Sequence, residues 1–267
     1  TQHLGIDRLD RGRAEGTAQA SAQDEAHRDA RLSGPMASPR KPQQLPLDLG
    51  HSIGHSRDEL VVSDANREAV SLIDRWPDWP APVVVLAGPA GSGKSHLASI
   101  WAETTGASVL SAGSIEQCIE GLDLSRPVLI DEADRMLDEQ GLFHLINAMR
   151  GAGMQILLTS RRFPSAWGVT LPDLASRLKA AATVEILEPD DLLLAAVITK
   201  LFADRQVEVE QHVVQFLVRR IERSLSTALD VVERLDRAAL EQNSRITRAL
   251  AAETVSAMDQ GQVEFDI

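Results

Sequence analysis

The chain has 267 residues, 43% hydrophobic and 25% charged, which is enough for one large core or a core domain with a smaller companion. A formal net charge of −12 argues against a domain that grips duplex DNA by itself, although it leaves room for a local basic patch. An aromatic content of 3% without tyrosine argues against a base-stacking single-strand binder, so nucleotide or protein partners are expected.

Residues 1–42 mix Arg, Asp, Glu, Gln, Ala, Ser and Gly with few large apolar side chains, a composition expected to be disordered. Met36 opens a plausible start, which would make 1–35 an extended leader. A short motif follows, Gln44-Leu45-Pro46-Leu47-Asp48-Leu49, and then a Gly-, His- and Ser-rich linker. Residues 43–57 therefore read as motif plus linker, and folded structure is expected from 58.

Ala65, Ala69, Leu72 and Ile73 share one face of a helix predicted over 64–75, which the proline-rich stretch 76–82 ends. Val83-Val84-Val85-Leu86-Ala87 is a continuous apolar run that fits a strand buried on both faces. Further strands are predicted over 108–110, 128–131, 155–159 and 183–186, alternating with helices over 94–105, 114–120, 140–150 and 171–181. Such alternation predicts a parallel sheet with helices on both faces over 58–188. From 189 to 267 the strands stop, and helices over 190–205, 211–221, 224–242 and 247–259 predict a small helical domain. Cys118, the lone cysteine, excludes an internal disulfide and is expected to be a small apolar filler. No apolar run reaches membrane-span length and the start lacks a signal-peptide core, so a cytoplasmic protein without membrane contact is expected.

Gly88-Pro89-Ala90-Gly91-Ser92-Gly93-Lys94-Ser95 matches the P-loop pattern and sits between a buried strand and a helix. In that context the backbone N–H groups cradle phosphates, Lys94 meets the β- and γ-phosphates of ATP or ADP, and Ser95 ligates Mg2+. Val128-Leu129-Ile130-Asp131-Glu132 reads as Walker B: Asp131 for Mg2+, mostly through water, and Glu132 for the attacking water. Thr159 and Ser160 end another apolar strand, where a hydroxyl between the two motif strands reaches the γ-phosphate or its water. Arg177 adjoins the Leu174, Leu178 and Ala181 face, and Arg223 precedes a lid helix. On spacing alone, a solvated surface charge is the favoured reading of each arginine.

These pieces resemble the AAA+ ATPases of the DnaA clade, and within it the Hda regulators, over roughly residues 43–260. The carrying stretches are the P-loop with His96, Leu97 and Ala98, the Leu158-Thr159-Ser160 strand end, residues 171–178 and residues 223–230. The resemblance implies an α/β AAA+ core with a helical lid. It implies an arginine finger at Arg177, sensor 2 at Arg223, sensor 1 at Thr159 or Ser160, and adenine packing at Glu59-Leu60-Val61-Val62. Gln44, Leu45, Leu47 and Leu49 resemble a peptide that binds the sliding clamp, the β subunit of DNA polymerase III. Gln44 would hydrogen-bond at one end of the clamp groove, with Leu47 and Leu49 as apolar anchors. The partners implied are the clamp, DNA indirectly through it, and DnaA, with a homo-oligomer left open. The role implied is stimulated hydrolysis of DnaA-bound ATP, limiting re-initiation; the alternative is a helicase loader using its own Asp131 and Glu132. Relatives usually carry an acid after the strand end, where this chain has Arg161 and Arg162. No basic recognition helix follows the lid, which ends in Glu264-Phe265-Asp266-Ile267, so a full initiator is not expected.

Overall fold

The structure is a computed structural model that describes Arg57 and residues 60–263, with side chains through residue 260. The chain divides into two units, Thr1–Gln43 and Gln44–Ile267, and every described residue belongs to the second. The leader, the Gln44–Leu49 motif, Glu59 and the acidic end at 264–267 lie outside the described residues.

Five parallel strands form one sheet: β1 (Val83–Ala87), β2 (Ser108–Ser111), β3 (Val128–Asp131), β4 (Ile156–Ser160) and β5 (Ala182–Glu185). Their order is β2-β3-β4-β1-β5. The P-loop strand β1 is central and buried at all five positions, as its apolar run predicts. Its side chains alternate between two cores, as strand geometry requires. Val83 and Val85 join Ile130, Leu158 and helices α4 (Glu139–Gly151) and α5 (Pro172–Lys179) on one face. Val84 and Leu86 join Leu129, Leu157 and helices α1 (Arg67–Asp74) and α2 (Lys94–Thr105) on the other. In α1 it is Val70, rather than the expected Leu72, that is fully buried beside Ala69 and Ile73.

Helix α3 (Ile115–Ile119) is a single short turn whose only buried residue is Ile115. Cys118 lies on its outer side and is exposed, which corrects the expectation of a core filler. One short helix cannot bury more than one face, and hydrophobic character alone did not say which.

The remaining helices, α6 (Asp191–Asp204), α7 (Gln211–Val218), α8 (Leu225–Gln242) and α9 (Arg248–Val263), bury their own cluster. Phe202, Leu217, Val231, Leu235 and Ala251 form its centre. Helices α6 and α8 begin at capping side chains: Asp190 accepts from the Leu193 N–H at 2.7 Å and Ser224 from the Thr227 N–H at 3.2 Å. The α/β core with a helical lid is as expected from the sequence. Among the described residues no helix is long and apolar enough to cross a membrane.

Candidate nucleotide-binding site

The P-loop leaves β1 at Gly88 and enters α2 at Lys94. At two glycines a side chain would force its neighbours to move. A Cβ on Gly88 would lie 2.1 Å from the Ile186 carbonyl oxygen, and one on Gly91 would lie 2.1 Å from Ser224 Oγ. Gly91 also has φ +70°, a conformation that L side chains rarely adopt. The Gly91 contact ties the loop to the lid, because the Leu225 N–H donates to the Gly91 carbonyl at 2.7 Å.

A cleft of about 350 Å3 opens between core and lid over this loop. Gly91, Ser92, Gly93, Lys94, Ser95 and His96 form its floor; Leu60, Val61, Asn66 and Val70 form one wall; Leu193, Val197, Leu201, Leu225 and Leu229 of the lid form the other. The base end is apolar and the floor is backbone amide and lysine, the division a nucleotide needs. Asn66 was not singled out by the sequence. Its Nδ2 donates to the Val61 carbonyl and its Oδ1 accepts from the Ser63 N–H, both at 2.9 Å, so it sets the course of residues 61–63. Val61 lines the cleft, whereas Val62 is 44% exposed and turned from it.

Lys94 is buried, and its Nζ donates to the Pro89 carbonyl at 2.6 Å and to Ser92 Oγ at 3.4 Å. Burial holds its pKa below the ordinary lysine value, partly offset by the nearby Asp131 carboxylate. A buried ammonium with two neutral acceptors in an amide-lined cradle is suited to an anion. Ala90 is exposed at the outer turn of the loop.

Strand β4 lies between β1 and β3, so its end falls between the two motifs. Thr159 Oγ1 donates to Asp131 Oδ1 and accepts from the Glu132 N–H at 2.9 Å. Ser95 Oγ donates to the same Asp131 oxygen at 3.0 Å. Ser160, one residue on and therefore on the opposite side of the pleat, donates to the Arg162 carbonyl at 2.7 Å. The geometry thus puts Thr159 in the motif network and Ser160 outside it.

Glu132 sits at φ +52° and is held by two guanidiniums. Arg135 Nη1 donates to its Oε2 at 2.7 Å, and Arg161 Nη2 approaches Oε1 at 3.4 Å. The Arg135 hydrogen bond is the main cause that keeps the Glu132 carboxyl below its ordinary pKa. Asp134 completes the group: its Oδ2 accepts the Arg161 N–H at 3.1 Å and lies 3.8 Å from Arg162 Nε, while Oδ1 is buried without a partner. Arg135 and Asp134 escaped sequence reading, although Arg135 lies only three residues beyond Glu132, in the turn after β3.

The two implied arginines part company. Arg223 does not line the cleft; its Nη2 pairs with Asp191 Oδ1 of α6 at 2.8 Å. Arg177, half-buried on α5, stacks 5.0 Å from the Phe143 ring centroid on α4. It also lies outside the cleft and makes no ion pair among the described residues. Glu139 fixes the approach to α5: its carboxylate accepts the Thr170 N–H at 3.0 Å and the Leu171 N–H at 2.8 Å. Those bonds hold its carboxyl below the ordinary pKa.

Residues 194–254 match the family model for the Hda lid domain. Domain III of Thermotoga maritima DnaA superposes with TM-score 0.65 at 18% identity, covering 76% of this chain and 96% of that one. AMPPCP-bound DnaA from Aquifex aeolicus gives 0.58 at 20% identity over 70% of this chain and 66% of that one. The RuvB branch-migration motor of T. maritima gives 0.61 at 21% identity over 76% and 72%, so the core fold is that of AAA+ proteins broadly. A Haemophilus influenzae protein described only as uncharacterized is 26% identical over 188 residues, 64% of this chain and 80% of its own length. This chain therefore combines an AAA+-type α/β fold with a lid that matches the Hda family model over residues 194–254.

Proposed function

We propose that the chain binds ATP or ADP with Mg2+ between core and lid, docks on the sliding clamp, and offers Arg177 to ATP held by DnaA. The clamp part of this reading rests on Gln44, Leu45, Leu47 and Leu49, which lie outside the described residues. DNA enters through the clamp. The observation that carries the partner role is the placement of Arg177. It is stacked on Phe143, unpaired among the described residues and outside the chain's own cleft, which leaves it available to a neighbour.

The site residues fit the ligand. Lys94 and the 88–93 amides suit the phosphates, and the apolar wall from Leu60 and Val61 to Leu229 suits adenine. Ser95 and Asp131 already share a hydrogen bond, and a single carboxylate with a hydroxyl suits Mg2+, which keeps several waters and phosphate oxygens. Mg2+ when bound neutralises charge on the phosphates. Thr159 orients Asp131, and Arg223 must leave Asp191 to act as sensor 2.

An arginine finger contributes about 10³–10⁵ in rate. Arg177→Ala should therefore bind nucleotide and clamp normally yet fail to stimulate hydrolysis by DnaA on clamp-loaded DNA; full stimulation would sink the assignment. The self-acting loader reading keeps one supporting observation, the intact Asp131, Glu132 and Thr159 network. Equal clamp retention of wild type and Gln44→Ala, or retention of neither, would favour it.

A further inference from the structure

Helices α7 and α9 bring together three arginines that the nucleotide reading does not use. Arg219 caps the C-terminal end of α7, Arg220 follows it, and Arg248 opens α9. The Arg220 and Arg248 guanidinium carbons lie 5.9 and 5.3 Å from the centroid of one ring, Phe216. With His212 and Gln215 they line an open groove of about 520 Å3.

All three arginines are exposed, and among the described residues none makes an ion pair. Within the lid, Arg205, Arg223 and Arg237 each sit on a carboxylate, Asp236, Asp191 and Glu233, whereas Arg234 and Arg245, like the groove arginines, make no ion pair among the described residues; what sets the groove apart is the clustering around Phe216. No carboxylate lines the groove among the described residues, and His212 of its lining lies 3.1 Å from Glu210. The negative end of α7 accounts for Arg219 and Arg220. It does not account for Arg248, which stands at the positive end of α9, where a cation is disfavoured. Two guanidiniums thus converge on one ring and a third lines the same groove, in a chain of net charge −12, and Arg248 does so against the local helix-end preference.

We propose that this groove is a backbone contact for duplex DNA, with Arg219, Arg220 and Arg248 meeting adjacent phosphates. Guanidinium forks match phosphate oxygens bidentately. An acidic peptide is the competing occupant of an arginine cluster, and the displacement experiment below separates it from duplex DNA. The contact is weak by itself and gains when another segment already holds the chain at DNA. It stands whether or not the nucleotide and clamp readings hold.

Fluorescence anisotropy of the full chain with a labelled duplex of about 30 base pairs, between about 50 and 200 mM salt, tests it. Three neutralised phosphates predict a slope of log K against log salt of about −2.7, and Arg248→Gln should reduce its magnitude by about 0.9. The triple glutamine variant should lose binding, while the triple lysine variant should keep the slope and bind more weakly. If the triple glutamine variant melts early, Arg248→Gln alone carries the test. Absence of binding at the lowest salt overturns the proposal, as does triple-variant binding equal to wild type. Displacement by poly-glutamate as potent as by unlabelled duplex would reassign the groove to acidic peptides and also overturn it.

Discussion

Gly91→Ala probes the one backbone bond seen between the P-loop and the lid. An alanine there adopts φ +70°, which costs about 1–2 kcal/mol for an L residue. Its Cβ would also stand 2.1 Å from Ser224 Oγ and 2.8 Å from Ser224 Cβ. Relief requires the start of α8 to withdraw, breaking the 2.7 Å bond from the Leu225 N–H to the Gly91 carbonyl, a further loss of about 0.5–1.5 kcal/mol. The sum is about 1.5–3.5 kcal/mol, a fall in Tm of about 3–14 °C for a body of this size. Ser224→Gly separates the two causes. It removes both clashing atoms, and as an N-cap exchange it costs only a few tenths of a kcal/mol. The double variant should therefore recover roughly half of the loss, leaving the φ penalty. Melts followed by circular dichroism give the four corners of the cycle, and fluorescent ADP titration reports the cleft. A Gly91→Ala variant that melts like wild type, or a double variant no better than Gly91→Ala alone, would refute the contact.

Three further outcomes follow from the site geometry. Freeing Glu132 from Arg161 by Arg161→Ser should raise the chain's own turnover about two- to five-fold at unchanged nucleotide affinity, the range of one exposed ion pair, read in single-turnover ATP hydrolysis; unchanged turnover would separate the pair from catalysis. Phe143→Ala should weaken stimulation of DnaA with nucleotide binding intact, because Arg177 loses the ring it stacks on; normal stimulation would mean the stack does not position it. Glu139 has its folded pKa depressed below the ordinary 4.5, so its contribution is present above that value and lost as pH falls through the folded pKa. Glu139→Gln should therefore flatten the loss of stability as pH falls below the ordinary 4.5 in urea titrations, and an unchanged slope would remove Glu139 from that role.

Much of the fold was legible because its signals are local. The 83–87 run, the glycine spacing to Lys94 and the apolar approach to Asp131 each occupy a handful of neighbouring residues. Periodicity and turn chemistry act at that range, so strands and helices fell within a few residues of their predicted bounds. The switch from alternating elements to helices alone near Pro189 likewise needed no long-range information.

Tertiary structure decided what lies between separated elements. Thr159 and Ser160 are equivalent in sequence; only the place of β4 between β1 and β3 turns Thr159 toward Asp131 and sends Ser160 to Arg162. Arg161 reads as surface charge until the sheet sets it beside Glu132. Arg223 finds Asp191, and Arg248 finds Phe216, only once the lid helices pack. The sequence by itself determined the glycine-rich loop, the buried strands and the helical lid, because pleat, helical period and glycine freedom are properties of short segments. The partner of each charged side chain was decided by the packed fold, because such pairs form across gaps in sequence that no local pattern spans.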